Sequence, residues 1–532
     1  MKNILIAIRS IFKKGRHNVM KIVSLGIGLA VGLVLIAKVY FEQSYDDFYP
    51  DRDRVYQVWA KYQQKGGELK DYPQTSGGIA PTMQQQIPEI ETVTRYTSFG
   101  DWTFTMTDTK MKYSGRCIIA DSCFFDILPR PMLIGNAKEV LSTPMYVLIS
   151  SRIAKNIGGD VIGKNFTVDN SPGRTMTIGG VFEEVPENSH SRYDVIVSMA
   201  SAGRFMWEGS PTNMLGNDRY ISYVKLHKGV NPLALEEQVR TFVNSYFPPE
   251  EQQKVGLSID FSFHKLDNLH KELPQVKRMT WILSLLAFAL IFTAVMNYIL
   301  IVISSIVNRS KEVAVHKCYG ASENNIHGMM FGEALVHIVL SLILALLLIL
   351  AFRGTVEELL ATSLDSLLLS NGSLVLLGIC ILVFFVSGFM PGSLYARIPV
   401  ASAFRNYREN KRIWKKALLL VQFVATGFLV TMLVFVARQY TFMVNDRPGY
   451  AYENLAYCGL AGVDSTSRAK ILDEVMRLPG VAAATTVYQL PFEHASGNNI
   501  LLPGGTQELF NIADLYWVGN GYLDMMEIPV IQ

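Results

Sequence analysis

The chain repeats its own opening part far downstream. Three stretches recur along it: residues 7–32 as 403–428, residues 88–96 as 479–487, and residues 120–134 as 518–532. A long-period repeat constrains the architecture more than any local pattern, because each copy must form the same unit. The second copy stops at Gln532, one residue before the counterpart of Gly135. We therefore expect two homologous halves, the second incomplete, in a protein of roughly 790 residues when whole.

The composition is that of a membrane protein with a large water-soluble part. Of the 532 residues, 49% are apolar and 18% are charged, whereas about a quarter of the residues of a soluble domain are charged. The formal net charge of +3 is nearly balanced. It favours neither nucleic acid nor an acidic substrate as a partner. The five cysteines show no CxxC or metal-ligand spacing.

Five apolar segments are long enough to cross a membrane, which takes roughly 20 predominantly apolar residues. We predict spans at 19–41, 279–307, 334–352, 371–395 and 417–437. Lys21 and Lys38 flank the apolar run of the first span, and both can extend their ammonium groups to the membrane surface. The second span is longer than the hydrocarbon layer requires, so it should tilt or continue as a stalk. No small-residue cleavage site follows the first span, which favours a membrane helix over a cleaved leader.

Basic residues near the ends of the spans indicate the orientation. The segments before the first span and between the fourth and fifth spans are rich in lysine and arginine, which places both on the cytoplasmic side. The loop 353–370 is mainly acidic and should lie outside. This topology puts the N-terminus inside the cell and residues 42–278 and 438–532 outside it.

Each half begins with a basic segment that we predict to lie on the membrane surface. In residues 1–18, apolar side chains share one helical face and basic side chains occupy the other, which is typical of an in-plane amphipathic helix on anionic lipid. Residues 396–416 form the equivalent linker of the second half. The alternative to a surface-lying helix is a frayed basic tail without regular structure. The side chains expected to contact lipid are Arg9, Lys13, Arg16, Arg405 and Arg412.

The predicted external part mixes strands and helices. Residues 55–62 alternate with strand period. Helix N-caps are expected at Ser150 or Ser151 and at Asn231. The fold class is therefore a helical membrane bundle with α+β extracytoplasmic domains. Residues 438–532 are the incomplete second domain, and its first helix is predicted to start near Asp464 or Ser465.

Several tempting sites are rejected or left open. The segment 158–165 resembles a phosphate-binding loop, but Asn165 stands where that loop needs a hydroxyl, so we expect no nucleotide site on this chain. Cys117 and Cys123 either form a disulfide bond or remain two independent thiols, and the sequence leaves both interpretations open. His264 and His270 are too far apart for one helical face, so no metal site is expected. No catalytic constellation was found, which disfavours a membrane enzyme.

The segment 308–333 carries a resemblance to a known family. Its run KEVAVHKCYGAS, residues 311–322, is similar to the signature cytoplasmic loop of MacB/FtsX-type ABC transporter permeases. The matching positions that would couple to an ATPase are Lys311, Glu312, Lys317, Gly320, Ala321, Ser322 and Glu333. Ala314 and His316 depart mildly from the family pattern. Residues 120–135 and 179–199 resemble the MacB-like periplasmic core domain, and the duplicated, eight-span form of Bacteroides-like bacteria is the most similar subclass.

The resemblance implies a function and a set of partners. The chain would be the permease subunit of a mechanotransmission ABC transporter in the bacterial inner membrane. It would carry no cofactor, because ATP and Mg would be bound by a separate cytoplasmic ABC ATPase that acts as a dimer. The substrate would be an envelope lipoprotein, peptide, toxin or lipid, and a periplasmic adaptor or outer-membrane protein would be a further partner. The alternative is an FtsX-like regulator of cell-wall hydrolases or envelope signalling, without transport.

The residues of this segment indicate a mechanical role without the family name. Glu312 and Lys317 are predicted to lie on a helical extension of the second span. Gly320 is suited to the left-handed conformation that ends a helix, which would turn the chain back toward the third span. Such a helix–turn–helix can dock into a groove on a cytoplasmic partner. An ordinary basic-flanked loop is the alternative interpretation.

Overall fold

The structure of the chain is a computed structural model. It describes residues 17–64, 69–169, 171–216, 218–396, 399–401, 413–446, 449–460, 463–491, 496–503 and 508–530. The chain divides into two compact units. The first comprises residues 1–166 and 175–427, and the second comprises residues 167–174 and 428–532.

The α-helices follow one another along the chain with these bounds: α1 Asn18–Gln43, α2 Ile79–Gln86, α3 Phe124–Ile127, α4 Ala137–Ser142, α5 Ser151–Ile157, α6 Ala202–Phe205, α7 Glu236–Tyr246, α8 Pro249–Val255, α9 Pro274–Ser304, α10 Ile306–Cys318, α11 Glu323–Ala351, α12 Arg353–Leu360, α13 Leu364–Leu368, α14 Ser373–Ala396, α15 Ile413–Asn445, α16 Ser465–Met476 and α17 Tyr522–Met525. Short 3-10 turns occur at Met199–Ser201, Ser210–Thr212, Pro232–Leu235 and Leu266–Asn268.

The strands are β1 Val55–Gln64, β2 Lys70–Tyr72, β3 Ile90–Met106, β4 Lys112–Ala120, β5 Met132–Ile134, β6 Tyr146–Ser150, β7 Asn165–Val168, β8 Ser171–Phe182, β9 Val195–Ser198, β10 Ile221–Leu226, β11 Leu257–Lys265, β12 Ser496–Leu501 and β13 Glu508–Leu515.

Five helices are long and apolar enough to cross a membrane: α1, α9, α11, α14 and the part of α15 from Lys416 to Asn445. An apolar helix therefore lies at each of the five segments predicted to be spans, although the helix ends differ from the predicted limits of the spans. α11 begins at Glu323 rather than at 334, because Ser322 caps it and the backbone hydrogen bonds continue through polar residues. α9 begins at Pro274 rather than at 279 and ends at Ser304 rather than at 307. Hydropathy marks the segment that lies in hydrocarbon, not the limits of the helix.

The first four of these helices share one apolar core. Leu25 and Leu29 of α1, Tyr298 and Ile299 of α9, and Val383 of α14 are among its buried members. A small-residue pattern brings α1 unusually close to α9. A Cβ atom added at Gly28 would lie 2.2 Å from the Ala294 side chain, and one added at Gly32 would lie 2.4 Å from Ile291. This Gly-x-x-x-Gly spacing lets two membrane helices approach backbone to backbone, so α1 and α9 are packed as a pair.

The α+β domain between α1 and α9 is built on one large mixed sheet. Its strand order is β11-β1-β10-β3-β4-β9-β6-β8-β5, with β2 paired to β1. β4 runs parallel to β9 and β6 runs parallel to β8, while the other pairs along this path are antiparallel. α2 and α7 cover one part of the sheet with a core that includes Met83, Val224 and Phe242. A second core, around Phe124 and Ile196, lies further along the same sheet.

The predicted helix starts are confirmed by side-chain caps. The Ser150 hydroxyl accepts a hydrogen bond from the Ile153 amide at 3.3 Å. Asn231 caps a 3-10 turn that precedes α7, accepting from the Leu233 amide at 3.1 Å. Asp464 caps α16, accepting from the Ser467 amide at 3.0 Å. The rejected phosphate loop is a turn in which Gly158, Gly159 and Gly163 have positive φ.

Some predicted features lie outside the described residues. These are Arg9, Lys13, Arg16, Arg405 and Arg412, together with most of the surface segments 1–18 and 396–416. The second unit contains α16, the antiparallel pair β12–β13 and the short helix α17.

Candidate functional site

The predicted coupling segment folds as a helix, a tight turn and a second helix. α10 ends at Cys318, and Gly320 has φ +85°, as predicted. The Gly320 amide donates to the Lys317 carbonyl at 3.0 Å, and the Ala321 amide donates to the His316 carbonyl at 3.0 Å. This pair of bonds is the Schellman pattern, which satisfies the last carbonyls of a helix and needs a left-handed residue. Ser322 then caps α11 through the Asn325 amide at 3.4 Å. We call residues 318–322 the coupling turn.

The helix before the coupling turn is partly buried, whereas the turn itself is exposed. Val313 and Ala314 are buried on α10, whereas the Tyr319 ring at the tip is 89% exposed. Lys311 and Ser322 are exposed, and Glu312, Lys317 and Ala321 are half-buried. Lys317 donates through Nζ to the Ala396 carbonyl at 2.6 Å, which connects the end of α10, just before the coupling turn, to the last residue of α14. The sequence prediction missed Tyr319, although a large aromatic residue beside a turn glycine is a visible signal.

Glu333 lies apart from the other predicted coupling residues. It sits within α11, is buried, and has its Oε1 atom 3.9 Å from the Nζ atom of Lys21 on α1. Lys21 is fully buried and also donates to the Asn18 side chain at 3.3 Å. Lys21 is therefore buried within the helical bundle and does not extend outward in the way that the sequence allowed. A buried carboxylate on the neighbouring helix compensates its charge.

Two further polar contacts connect helices in the bundle. The Tyr298 hydroxyl of α9 lies 3.1 Å from Nδ1 of His337 on α11, so this histidine has a structural contact. The Tyr395 hydroxyl of α14 lies 3.1 Å from Ser305, at the break between α9 and α10. These contacts connect α9 with α11 and connect α14 with the break between α9 and α10.

A charged junction joins the far end of α1 to the α+β domain. Glu42 lies 2.7 Å from Lys38 Nζ and 2.5 Å from His270 Nε2, just before α9. Lys38 also donates to the Thr362 hydroxyl at 2.8 Å, between α12 and α13. Lys38 is therefore buried in this network rather than extended to the membrane surface as the sequence allowed. The Tyr45 ring stacks on His270 with centroids 3.7 Å apart.

Asp46 binds one loop of the α+β domain at the same junction. It is 1% exposed and adopts a left-handed backbone with φ +57°. Its carboxylate accepts from the Ser189 hydroxyl at 2.6 Å and lies 2.5 Å from Nδ1 of His190. Asn188 donates from its side chain to the Ser44 carbonyl at 2.6 Å. The Ser363 amide donates to Glu187 at 3.0 Å, so the same loop also contacts the segment between α12 and α13. We call residues 42–46, 187–191, 270 and 362–363 the membrane junction.

The cysteines of the domain are free thiols in the structure, so the disulfide interpretation finds no support there. Cys117 is buried in β4, and Cys123 precedes α3 and donates to the Val93 carbonyl at 3.0 Å. Burial raises the pKa of Cys117 well above its usual value and raises the pKa of Cys123 to about 11. Both thiols are therefore protonated and unreactive at neutral pH.

No group of three or more metal-ligating side chains occurs among the residues that the structure describes. His270 contacts Glu42, whereas His264 stacks on Trp59 with centroids 4.3 Å apart. The two histidines that the sequence singled out thus belong to different environments.

Comparisons with known proteins agree with this organisation. Residues 20–242 match the family model of the MacB-like periplasmic core domain, and residues 284–400 match that of the FtsX-like permease C-terminal region. No curated protein sequence matches the chain at a significant level.

Three solved structures are similar to parts of the chain. A domain of a protein assigned as a permease in Porphyromonas gingivalis is 33% identical, with 41% of this chain and 91% of that chain covered and a TM-score of 0.38. The periplasmic region of MacB from Actinobacillus actinomycetemcomitans is 15% identical, covering 39% and 87%, with a TM-score of 0.27. The extracellular domain of the transporter YknZ from Gram-positive bacteria is 12% identical, covering 39% and 98%, with a TM-score of 0.28.

The two matched regions correspond to the α+β domain and to the helical bundle described above. The periplasmic core match spans α1 and most of the α+β domain, and the permease match runs from α9 through the coupling turn to α14. Proteins of this kind are embedded in a membrane and work with a cytoplasmic ABC ATPase. The chain belongs to the MacB/FtsX-type family of ABC transporter permeases, with a periplasmic domain carried on membrane-spanning helices.

Proposed function

We propose that this chain passes ATP-driven movement from a cytoplasmic ATPase to its periplasmic domain, which handles an envelope substrate. The observation that carries the proposal is a nearly unbroken helical path from the coupling turn to the membrane junction. α10 and α9 are interrupted only at Ser305. α9 alone spans about 46 Å at 1.5 Å per residue, compared with a hydrocarbon layer of about 30 Å. The helix therefore extends beyond the bilayer as a stalk.

The path ends in contacts that can transmit a displacement. His270, four residues before α9, is bound to Glu42 at the end of α1, and Asp46 is bound to the loop 187–191 of the domain. Because α1 and α9 are packed closely at Gly28 and Gly32, they would move together as one rigid pair. Movement of the coupling turn would thus reach the domain through fixed hydrogen bonds rather than through a flexible linker.

Gly320→Val is expected to abolish most of the substrate-coupled ATP hydrolysis of the assembled complex. Valine at φ +85° adds about 2 kcal/mol of backbone strain and opens the Schellman turn. The matched control is Gly163→Val in the periplasmic domain. Gly163 also has positive φ and, like Gly320, has nothing within 4 Å of an added Cβ. The measurement is ATPase activity of the co-purified complex in nanodiscs. Equal loss in both variants, or none in Gly320→Val, would contradict a coupling role for the turn.

We further propose that the protein lies in the bacterial inner membrane, with its N-terminus and the coupling turn in the cytoplasm. Two exposed native thiols test it, Cys318 at the coupling turn and Cys458 in the second unit. A membrane-impermeant maleimide should label Cys458 in intact cells and Cys318 only after permeabilisation. Cys318→Ser and Cys458→Ser identify which thiol reacts. Labelling of Cys318 in intact cells would reverse the orientation.

The duplication is also proposed, because two local features of the second unit match the first at the aligned positions. Tyr96 pairs with Ala120 in the sheet of the first unit, and their counterparts Val487 and Val518 form an antiparallel bridge. α3 begins at Phe124, and α17 begins at its counterpart Tyr522. These correspondences support two homologous halves, each with its own external domain.

The proposed partners follow from the same assignment. Lys311, Glu312 and Lys317 would contact a dimeric ABC ATPase, which would bind ATP and Mg, and the chain itself would need no cofactor. The basic segments at 1–18 and 396–416 would bind anionic lipid. An adaptor or outer-membrane protein would receive a lipoprotein, peptide, toxin or lipid from the periplasmic domain.

A further inference from the structure

An arginine is buried in the periplasmic domain without a carboxylate beside it. Arg130 is 6% exposed and follows α3. Aromatic rings surround its guanidinium, with Cζ 5.1 Å from the centroid of Phe182, 5.9 Å from Phe125, 5.9 Å from Tyr193 and 6.0 Å from Phe124. Among the described residues, no carboxylate lies within ion-pair distance of it.

The hydrogen-bonding capacity of Arg130 is only partly used. The hydroxyl of Tyr49 is a polar neighbour, but the Nε and Nη2 atoms of Arg130 are buried with no hydrogen-bond partner. Burial lowers the pKa of Arg130, yet an arginine side chain stays protonated in proteins. A buried charge with unsatisfied donors is costly unless a partner arrives. A buried arginine is usually paired with a carboxylate, as Arg95 of the same domain is, with its Nε atom 3.2 Å from the Asp121 carboxylate.

A cleft of about 400 Å³ opens beside Arg130. Its lining includes three more arginines, Arg116, Arg152 and Arg192, and three carboxylates, Asp101, Glu184 and Asp194. Glu184 lies 3.9 Å from Arg152 Nε. The carboxylate of Asp194 in the same lining is already engaged. It lies 2.6 Å from Arg152 Nη2 and accepts from the Arg116 amide at 2.9 Å. With four arginines and three carboxylates in its lining, the cleft has an excess of one positive charge, and Arg130 supplies buried donors without a partner.

We propose that this cleft binds the oxyanion group of an envelope ligand, a phosphate or a carboxylate, with Arg130 as its buried anchor. A planar guanidinium with two free donors suits bidentate binding of either oxyanion. The aromatic rings would exclude water and strengthen the interaction. This deepens the proposed function by giving the periplasmic domain a ligand chemistry. Its test measures binding alone, so it can fail or succeed independently of ATPase coupling.

The cleft is connected to the membrane junction. Arg192 and Tyr193 follow directly on the loop 187–191, and the Tyr49 hydroxyl lies 2.5 Å from the Ser191 hydroxyl. A ligand at Arg130 would therefore contact the segment that holds Asp46 at the end of α1.

The test uses the full-length protein in nanodiscs of neutral lipid. Inorganic phosphate, acetate and dihexanoyl phosphatidylglycerol are titrated at constant ionic strength, with binding measured by calorimetry and thermal shift. Wild-type protein should bind at least one of them saturably. Arg130→Met should weaken that binding by at least about tenfold, because the charge-assisted hydrogen bonds are lost, and should raise the melting temperature without ligand. Arg240→Met, on the exposed face of α7, should change neither quantity.

The ligand profile distinguishes the sources of the oxyanion. Binding of inorganic phosphate indicates a phosphate site, binding of acetate a carboxylate site, and binding of the short lipid alone a lipid phosphate. If Arg130→Met does not fold, the double variant Arg116→Met/Arg192→Met replaces it and should weaken binding by at least about threefold. The proposal is overturned if wild-type protein binds none of the three probes. It is also overturned if binding is unchanged in Arg130→Met, or in the double variant where that one replaces it.

Discussion

Replacing Glu333 with alanine is expected to destabilise the membrane bundle by about 3 kcal/mol. The substitution removes a carboxylate that lies 3.9 Å from Lys21, whose side chain is fully buried between helices. The Lys21 ammonium group then loses the carboxylate that faces it in a region of low dielectric, which costs far more than losing a surface ion pair. The measurement is unfolding of the full chain in mixed detergent micelles, followed by far-UV circular dichroism.

A second substitution separates charge from packing. Lys21→Met combined with Glu333→Leu removes both charges and keeps similar side-chain volumes, so the double variant should recover most of the lost stability. The exposed pair Arg477 and Glu474 provides a matched control, and Glu474→Ala should change stability by less than about 0.5 kcal/mol. If Glu333→Ala were as mild as this control, the pair would not contribute to the association of α1 with α11.

Asp46→Ala is expected to detach the periplasmic domain from the end of α1, at a cost of about 3 kcal/mol. The carboxylate is 1% exposed and is bound to Ser189 and His190, so its removal takes the main acceptor from the buried Ser189 hydroxyl and the partner from the partly buried His190 ring nitrogen. Alanine also tolerates φ +57° poorly. Two readouts check the result. One is thermal unfolding of the full chain, and the other is protease cleavage within the loop 187–191.

Asp46→Asn is the matched control, because asparagine keeps the shape and tolerates the left-handed backbone. It should fall between wild type and Asp46→Ala, since it still accepts from Ser189 but loses the charge that faces His190. If Asp46→Asn and Asp46→Ala behaved alike, the charge of the carboxylate would dominate and the backbone conformation would matter little. If neither changed protease cleavage, the contact would not hold the domain.

Local features of the fold were predictable because they depend on neighbouring residues. The five apolar helices, the cap residues Ser150 and Asp464, and the left-handed Gly320 follow from composition and spacing over a few positions. Helix ends in the membrane region were predicted less well, as α11 shows, because polar residues such as those after Ser322 continue the helix beyond the hydrocarbon.

The candidate site was predictable only in part. Gly320 and Lys317 were found from the motif, and the geometry of the turn agrees with the prediction. Glu333 was grouped with them by sequence proximity, although it lies on another surface and faces Lys21. Lys21 and Lys38 were considered able to reach the membrane surface, since a lysine at the edge of an apolar run usually extends outward. Both are instead matched by carboxylates, which only the packed helices bring near.

The sequence by itself determined the five long apolar helices, the α+β character of the periplasmic domain and the turn at Gly320. These properties arise from hydrophobic periodicity and backbone preference within single segments. Only the tertiary structure decided that Lys21 meets Glu333, that Glu42 meets His270, and that Arg130 lies beneath aromatic rings beside an open cleft. The physical reason is that such pairs depend on which faces of distant segments pack together, and a pattern within one segment does not encode the face of another.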